Sequence, residues 1–471
     1  MSNLYANRTI KWALIVLLLA GTLLRLTLLG SKSFWLDEAN ALRVSHLGQG
    51  VLWEGKGEGY HPPLFYMALE QWAELGEDEA TLRLLAVIPS ALSIPLLYLL
   101  GKKLLGKEAA TTAVALMAFS PLLVWYAQEA RPYALLGLLG LVAMLAAAYL
   151  RNQFHVFWWV ALMISLTGGL YLHYFAVFII PLVLLLLMAS WAAKQASWAG
   201  TIAILTAVAT SLTAYWPWLQ SPAMQRFLDI ARGDHNYVAS LLTTRLNFLP
   251  DANQVYLLIV FGGLAAILIS LLLTYYLTKA IRKSNTFQNL PAHRGVQILL
   301  VIGYAAMLVL MVWPRGYTLK RQLILFWPVV LLGFAWFWPW QPQSAKWLTP
   351  ILALSLLASL VNVAFVPKPD WREMNTFITA NQQSGDQVVL EPSYMRIPFN
   401  YYNQDALPQT GLAFGADEAV LQELVAGNGR IWLIIHEADT DSQQRNIAWF
   451  DRHARLVSVT EFYKLQVRLY E

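Results

Sequence analysis

Two adjacent acids, Asp37 and Glu38 in FWLDEAN, follow the first long apolar run. Neighbouring carboxylates can share a cation, or raise one pKa so that one serves as a general base. The same pair also suits the start of a helix, where the dipole favours acids. GYHPPLFY holds His61 ahead of two prolines that fix extended backbone. That histidine could ligate a metal, hydrogen-bond a sugar, or simply occupy a turn. SPLLVWYAQEARPYAL carries Gln128, Glu129 and Arg131, with Pro132 placed to begin a helix. Arg131 could take a phosphate with Glu129 holding it, or the two could form an interfacial ion pair. LYLHYFAVF puts His173 and Tyr174 in a tight turn, and WPRGYTLKRQL puts Arg315, Lys320 and Arg321 in another. Arg83 is a weaker case of the same kind.

The elements that must position these groups are membrane helices. Hydrophobic residues make up 58% of the 471 residues and charged ones 13%, where a soluble domain is near a quarter charged. About eleven apolar runs reach spanning length: 12–30, 83–101, 108–126, 132–150, 156–172, 174–192, 198–217, 255–278, 296–313, 322–340 and 347–366. The first is long and contains Arg25, and no small-residue cleavage site follows, so it reads as a retained span and not a signal peptide. With a cytoplasmic N-terminus, the inside loops are short and basic: Lys102, Lys103, Lys107, Arg151, Lys194, Lys279, Arg282 and Lys283 meet only Glu108. The outer loops 31–82 and 218–254 are long, and the first is rich in acids. Stretches such as VLWEGKGEGYHPPLFYMALEQWAEL read as helices along the interface.

The composition changes near Lys368. DQVVLEP, RIWLIIHE, RLVSVTEFY and KLQVRLYE read as strands, and DEAVLQELVAG and SQQRNIAWFDRHA as helices. The expected architecture is therefore an α-helical polytopic domain, 1–367, followed by an extracytoplasmic α/β domain, 368–471. The absence of cysteine excludes disulfides, thiolate ligands and a cysteine nucleophile. The net charge of +5 fits basic inside loops, and no nucleic-acid partner is expected.

All the unusual polar groups fall at the outer ends of spans. Charges near membrane depth are costly and tend to serve function. Arg315, Lys320 and Arg321 run against the positive-inside trend, for which a lipid phosphate or snorkelling to headgroups would account. A transporter of lipid-linked sugars would instead place polar groups at the bilayer midplane within an inverted repeat, and neither is legible. A non-catalytic assembly protein would work through its outer domain, which shows no binding motif.

WLDEA, HPPLFY, RLLAVIPSAL, SPLLVWYAQEARPYAL, LHYF, RGYTLKRQLIL and PDWREMNTFI occur in this order over nearly the whole chain. SGDQVVLEP and a YY pair lie beyond. The set resembles the GT-C superfamily of polyprenyl-phosphate-sugar-dependent glycosyltransferases, near the bacterial relatives of protein O-mannosyltransferases and aminoarabinose transferases. The resemblance implies sugar transfer from a polyprenyl-phosphate donor to an acceptor hydroxyl, with inversion. Asp37 would be the general base, or would bind a metal with Glu38. Arg131, Arg315, Lys320 and Arg321 would meet the donor phosphate. His61, Arg83, Gln128, Glu129, Tyr133, His173, Tyr174 and Tyr317 would line the cavity. A divalent cation (Mg, Mn or Zn) on Asp37, Glu38 and His173, and metal independence, both stay open. Lipid, glycan and protein acceptors also stay open.

Overall fold

A computed structural model describes residues 2–56, 61–226, 324–337 and 342–471, apart from loop positions 405, 414–415, 428 and 438–440. Helix α1 (Ser2–Leu26) rises to an upper end. Three short helices follow: α2 (Leu36–Ser45), α3 (Gln49–Glu54) and α4 (Leu64–Ala73). The chain then descends in α5 (Glu79–Leu105) and returns through α6 (Lys107–Ala118) and α7 (Pro121–Ala127). Next come α8 (Tyr133–Leu150), α9 (Val156–Leu172), α10 (Ile179–Ala192) and α11 (Trp198–Leu219), then α12 (Trp327–Phe337) and α13 (Pro342–Phe365). Among the described residues, five helices are long and apolar enough to cross a membrane, or six if α6 and α7 are one broken span. The chain is thus a multi-pass membrane protein. The expected spans 255–278 and 296–313 lie outside the described residues.

The span expected at 108–126 is broken. α6 and α7 meet at 55°, because Pro121 cannot donate to the turn before it. The carbonyls this exposes are met by Arg25, which is fully buried. It donates to Ala118 O at 2.9 Å, Met117 O at 3.1 Å, Gly21 O at 2.7 Å and Ser90 Oγ at 2.8 Å. A charge inside a first span often marks a substrate path; this one satisfies the end of a helix. Arg25→Leu should therefore lower thermal stability in detergent by roughly 2–4 kcal/mol, the scale of losing charged hydrogen bonds to buried carbonyls. An unchanged melting temperature would contradict that role.

The C-terminal domain carries a five-stranded sheet in the order β2-β1-β3-β5-β4. The strands are β1 (Gln387–Glu391), β2 (Gln409–Gly411), β3 (Ile431–His436), β4 (Leu456–Phe462) and β5 (Leu465–Tyr470). β2, β1 and β3 are parallel, while β3–β5 and β5–β4 are antiparallel. Period-two alternation sorts the side chains. Val388, Leu390, Trp432 and Ile434 join Trp371 and Phe399 on one face. Val389, Leu433 and Ile435 join Leu421 and Phe450 on the other. The expected helical domain with a terminal α/β domain is observed. Helices α14 (Trp371–Asn381) and α15 (Arg396–Asn403) and strand β2 are additional to the expected elements.

This domain docks on the upper end of the bundle. Leu36 packs against its Trp371 face, and the Tyr401 ring meets Phe34 edge-on at 4.9 Å. Tyr402 Oη donates to Glu79 at 2.6 Å and accepts from the Phe34 N–H at 2.7 Å. Arg372 pairs with Glu79 and donates to Gly30 O at 3.0 Å.

Candidate active site

Glu38 is buried on the first turn of α2, and both its oxygens are filled. Arg83 Nε donates to Oε1 at 2.9 Å and Arg83 Nη2 to Oε2 at 3.0 Å. Lys368 Nζ donates to Oε2 at 2.8 Å, and the Ala130 N–H to Oε1 at 3.0 Å. Burial alone would raise this carboxyl, but Arg83 and Lys368 more than offset it and hold it at about 2. Arg83 also donates to the carbonyls of Leu29, Lys32 and Ser33 at 2.8, 2.9 and 3.1 Å. Its five N–H donors are thus all engaged within the protein. Burial, with Lys368 and Arg83 close by, pushes the Lys32 ammonium down to about 8.

Asp37 stands one residue earlier, about 100° around the helix, and is half-buried. Its charge acts on Arg131 and Tyr66. Arg131 is buried in the turn between α7 and α8 and hydrogen-bonds Tyr66 and Tyr133. Its Nη1 also reaches Asp37 O at 3.3 Å, and its Nε has no partner among the described residues. Burial would lower this guanidinium, but Tyr133, Asp37 and Tyr66 more than offset it and hold it above its usual value. The turn itself is fixed by Glu38, through the Ala130 N–H.

An aromatic wall stands beside this pair. His61 stacks on His173 at 5.2 Å and lies 5.5 Å from Tyr174, and His173 lies 5.6 Å from Tyr133. His173 Nδ1 accepts from the Phe175 N–H at 3.1 Å, which leaves the proton of a neutral ring on Nε2. Gln128 donates to Arg25 O at 3.0 Å and Thr27 O at 2.8 Å, closing the end of α1. Glu129 accepts from Trp125 Nε1 at 2.8 Å.

Between bundle and C-terminal domain lies a cleft of about 340 Å³, lined by Trp35, Trp125, Glu129, Lys368, Trp371, Tyr394 and His436 among others. Trp371 Nε1 is buried without a hydrogen-bond partner among the described residues. His436 stacks flat over Trp371 at 6.5 Å, and burial lowers its imidazole, so it is neutral near pH 7. Aromatic faces with a few polar groups suit a small polar ligand such as a sugar ring.

Residues 60–219 match a family model described as dolichyl-phosphate-mannose-protein mannosyltransferase. Over its whole length the chain is similar to ArnT from Cupriavidus metallidurans. The apo structure superposes with a TM-score of 0.53 at 12% identity, covering 99% of this chain and 98% of that one. The structure bound to undecaprenyl phosphate gives 0.51 at 14% identity, covering 97% of each. The Archaeoglobus fulgidus oligosaccharyltransferase complexed with Zn and sulfate gives 0.52 at 13% identity, covering 93% of this chain and 69% of that one. No curated protein matches. The chain has the GT-C fold.

Within this GT-C fold, the structure brings together residues from four separate sequence motifs: Asp37 and Glu38, His61, Glu129 to Tyr133, and His173 with Tyr174. Arg315, Tyr317, Lys320 and Arg321 lie outside the described residues. Arg83 and Gln128, expected to line the cavity, are engaged instead with backbone carbonyls and Glu38. Lys368, Tyr66 and the tryptophans of the cleft were not singled out in the sequence. Lys368 had a signal: it sits between Pro367 and Pro369, an extended strap leading into α14.

The described residues do not fit a divalent cation on Asp37, Glu38 and His173. Both Glu38 oxygens already accept from cations and a backbone N–H, and His173 Nδ1 accepts from Phe175. Among the described residues no group of three or more His, Cys, Asp or Glu side chains is placed to hold a metal.

Proposed function

We propose that this GT-C protein transfers a sugar from a polyprenyl-phosphate donor to an acceptor hydroxyl, with inversion, on the non-cytoplasmic side of the cytoplasmic membrane. One observation carries the reading: the two adjacent acids have different surroundings. Glu38 is closed off by Arg83 and Lys368, while Asp37 faces a buried arginine from the turn between α7 and α8, Glu129 to Tyr133. The loop charges support the orientation, and the relatives bound to undecaprenyl phosphate or dolichol phosphate support the donor class.

In this reading the acceptor oxygen attacks C1 of the sugar, and Asp37 takes its proton. The bond between C1 and the phosphate oxygen breaks as the new bond forms on the opposite face. Polyprenyl phosphate leaves, and Arg131 meets the charge that develops on it. Arg315, Lys320 and Arg321 are proposed to share that task. His61, His173, Tyr133 and Tyr174 form the wall against which the sugar sits, and the aromatic cleft admits the acceptor. Glu38, Arg83 and Lys368 hold Asp37 and Arg131 in register, a positioning role.

Purified protein should consume polyprenyl-phosphate sugar and release polyprenyl phosphate, with deletion-strain membranes as the acceptor source. Mass spectrometry of lipid and glycan fractions from a deletion strain should show one species short of a sugar. Lipid scrambling in liposomes without sugar transfer would overturn the proposal. Arg131→Gln should reduce transfer by about 100-fold, the typical loss for one donor to a developing anion, and should weaken polyprenyl-phosphate binding. Unchanged binding and turnover in that variant would remove Arg131 from the site.

A further inference from the structure

The lower end of the bundle, opposite the candidate active site, holds a second polar cleft. Its volume is about 560 Å³, and its lining includes Lys103, Arg151, Asn152, Lys194 and Ser197. Among the described residues no carboxylate lines it. Among the described residues none of the three cations takes part in an ion pair.

The cleft is built around Arg151, which is 9% exposed. This residue caps the C-terminus of α8. Its Nη1 donates to Ser190 Oγ at 3.2 Å, and its buried Nε has no hydrogen-bond partner among the described residues. Arg151 O accepts from the Ser197 N–H at 2.8 Å. Ser197 is the N-cap of α11, its Oγ accepting from the Gly200 N–H at 3.0 Å. The positive end of a 22-residue helix therefore opens beside an unpaired buried guanidinium. The approach needs glycine: a Cβ on Gly200 would lie 2.1 Å from Leu150 O. Lys194 stands in the left-handed region with φ 55°, a helix-end position that glycine normally fills.

The surroundings select a lipid over a soluble anion. Trp198 is 73% exposed and packs on Trp191 at 5.0 Å. Phe154 and Phe157 are exposed at the same end. Interfacial aromatics of this kind lie at headgroup depth, and acyl chains of a bound lipid would run over them. We propose that this cleft binds the headgroup phosphate of an anionic phospholipid. Arg151 and the start of α11 take the phosphate oxygens, and Lys103 and Lys194 close over them.

The test is native mass spectrometry of the detergent-purified full chain with phosphatidylglycerol, phosphatidylethanolamine or inorganic phosphate. The wild type should retain phosphatidylglycerol over phosphatidylethanolamine, and millimolar phosphate should not displace it. Lys103→Gln with Lys194→Gln should weaken retention about 10-fold, while the corresponding arginine double variant should keep it. Lys194→Gln alone, on an exposed side chain, should show part of the loss without disturbing the fold. Equal retention of the two lipids, or no loss in the glutamine variants, would overturn the proposal. Displacement by phosphate without any lipid preference would assign the cleft to a free anion, and would equally overturn it.

Discussion

Asp37→Asn will leave the protein folded, with its donor still bound, and will cut sugar transfer by about 1000-fold. The size follows from the usual contribution of a positioned general base, on the order of 10²–10⁴. The selectivity follows from the surroundings. Asparagine keeps the volume and the polar character of a half-buried side chain at the first turn of α2. It cannot accept a proton from an acceptor hydroxyl. Arg131 loses one neighbouring charge but keeps Tyr66 and Tyr133. Transfer assays alongside a melting curve and polyprenyl-phosphate binding separate these effects. Wild-type turnover in Asp37→Asn would remove Asp37 as the base.

Arg83→Leu should be the most destabilising substitution near the site, by about 3–5 kcal/mol, the scale for breaking one partner out of a buried ion pair. It would strip Glu38 of its two-point partner and leave the carbonyls of Leu29, Lys32 and Ser33 without their donor. The segment between α1 and α2 would lose its anchor, and Glu38 would keep only Lys368 and the Ala130 N–H. Glu38→Gln should cost a similar amount, because an amide N–H₂ would face the Arg83 or Lys368 donors. The loss should appear as a lower melting temperature and lower yield. The double variant should cost less than the sum, since the two side chains form one unit. Additive losses would mean that the pair does not act together.

The same cluster sets an acid response. The Glu38 carboxyl is held at about 2 in the folded state, against about 4.3 for an unperturbed glutamate. A depressed carboxylate contributes stability that is fully present above its unfolded value. That contribution fades as pH falls from about 4.3 towards about 2. Acid melting should therefore show a Glu38-dependent loss in that window and none at neutral pH.

Much of the architecture was legible because burial writes itself into composition and period. Long apolar runs marked the spans, short continuous apolar runs marked β1 and β3, and alternation marked β4 and β5. β2 was missed because its three residues are too few to show a period. The break between α6 and α7 was missed although Pro121 advertised it; an unbroken apolar run outweighed the proline. Two adjacent acids look equivalent on paper, yet a turn of 100° gives one a cage of donors and leaves the other toward Arg131. Lys368 could not be connected to Glu38 locally, since 330 residues separate them. Arg83 and Gln128 were grouped with the cavity because any polar group near a span end looks functional. Their partners, backbone carbonyls for both and Glu38 for Arg83, are invisible in sequence.

The most direct measurement of the central claim is single-turnover transfer from a polyprenyl-phosphate sugar by wild type and Asp37→Asn, with donor binding followed in the same samples. The account predicts that both proteins bind the donor equally and that only the wild type releases polyprenyl phosphate and labels an acceptor. Equal release by both proteins, or a wild type that binds the donor and never consumes it, would contradict it.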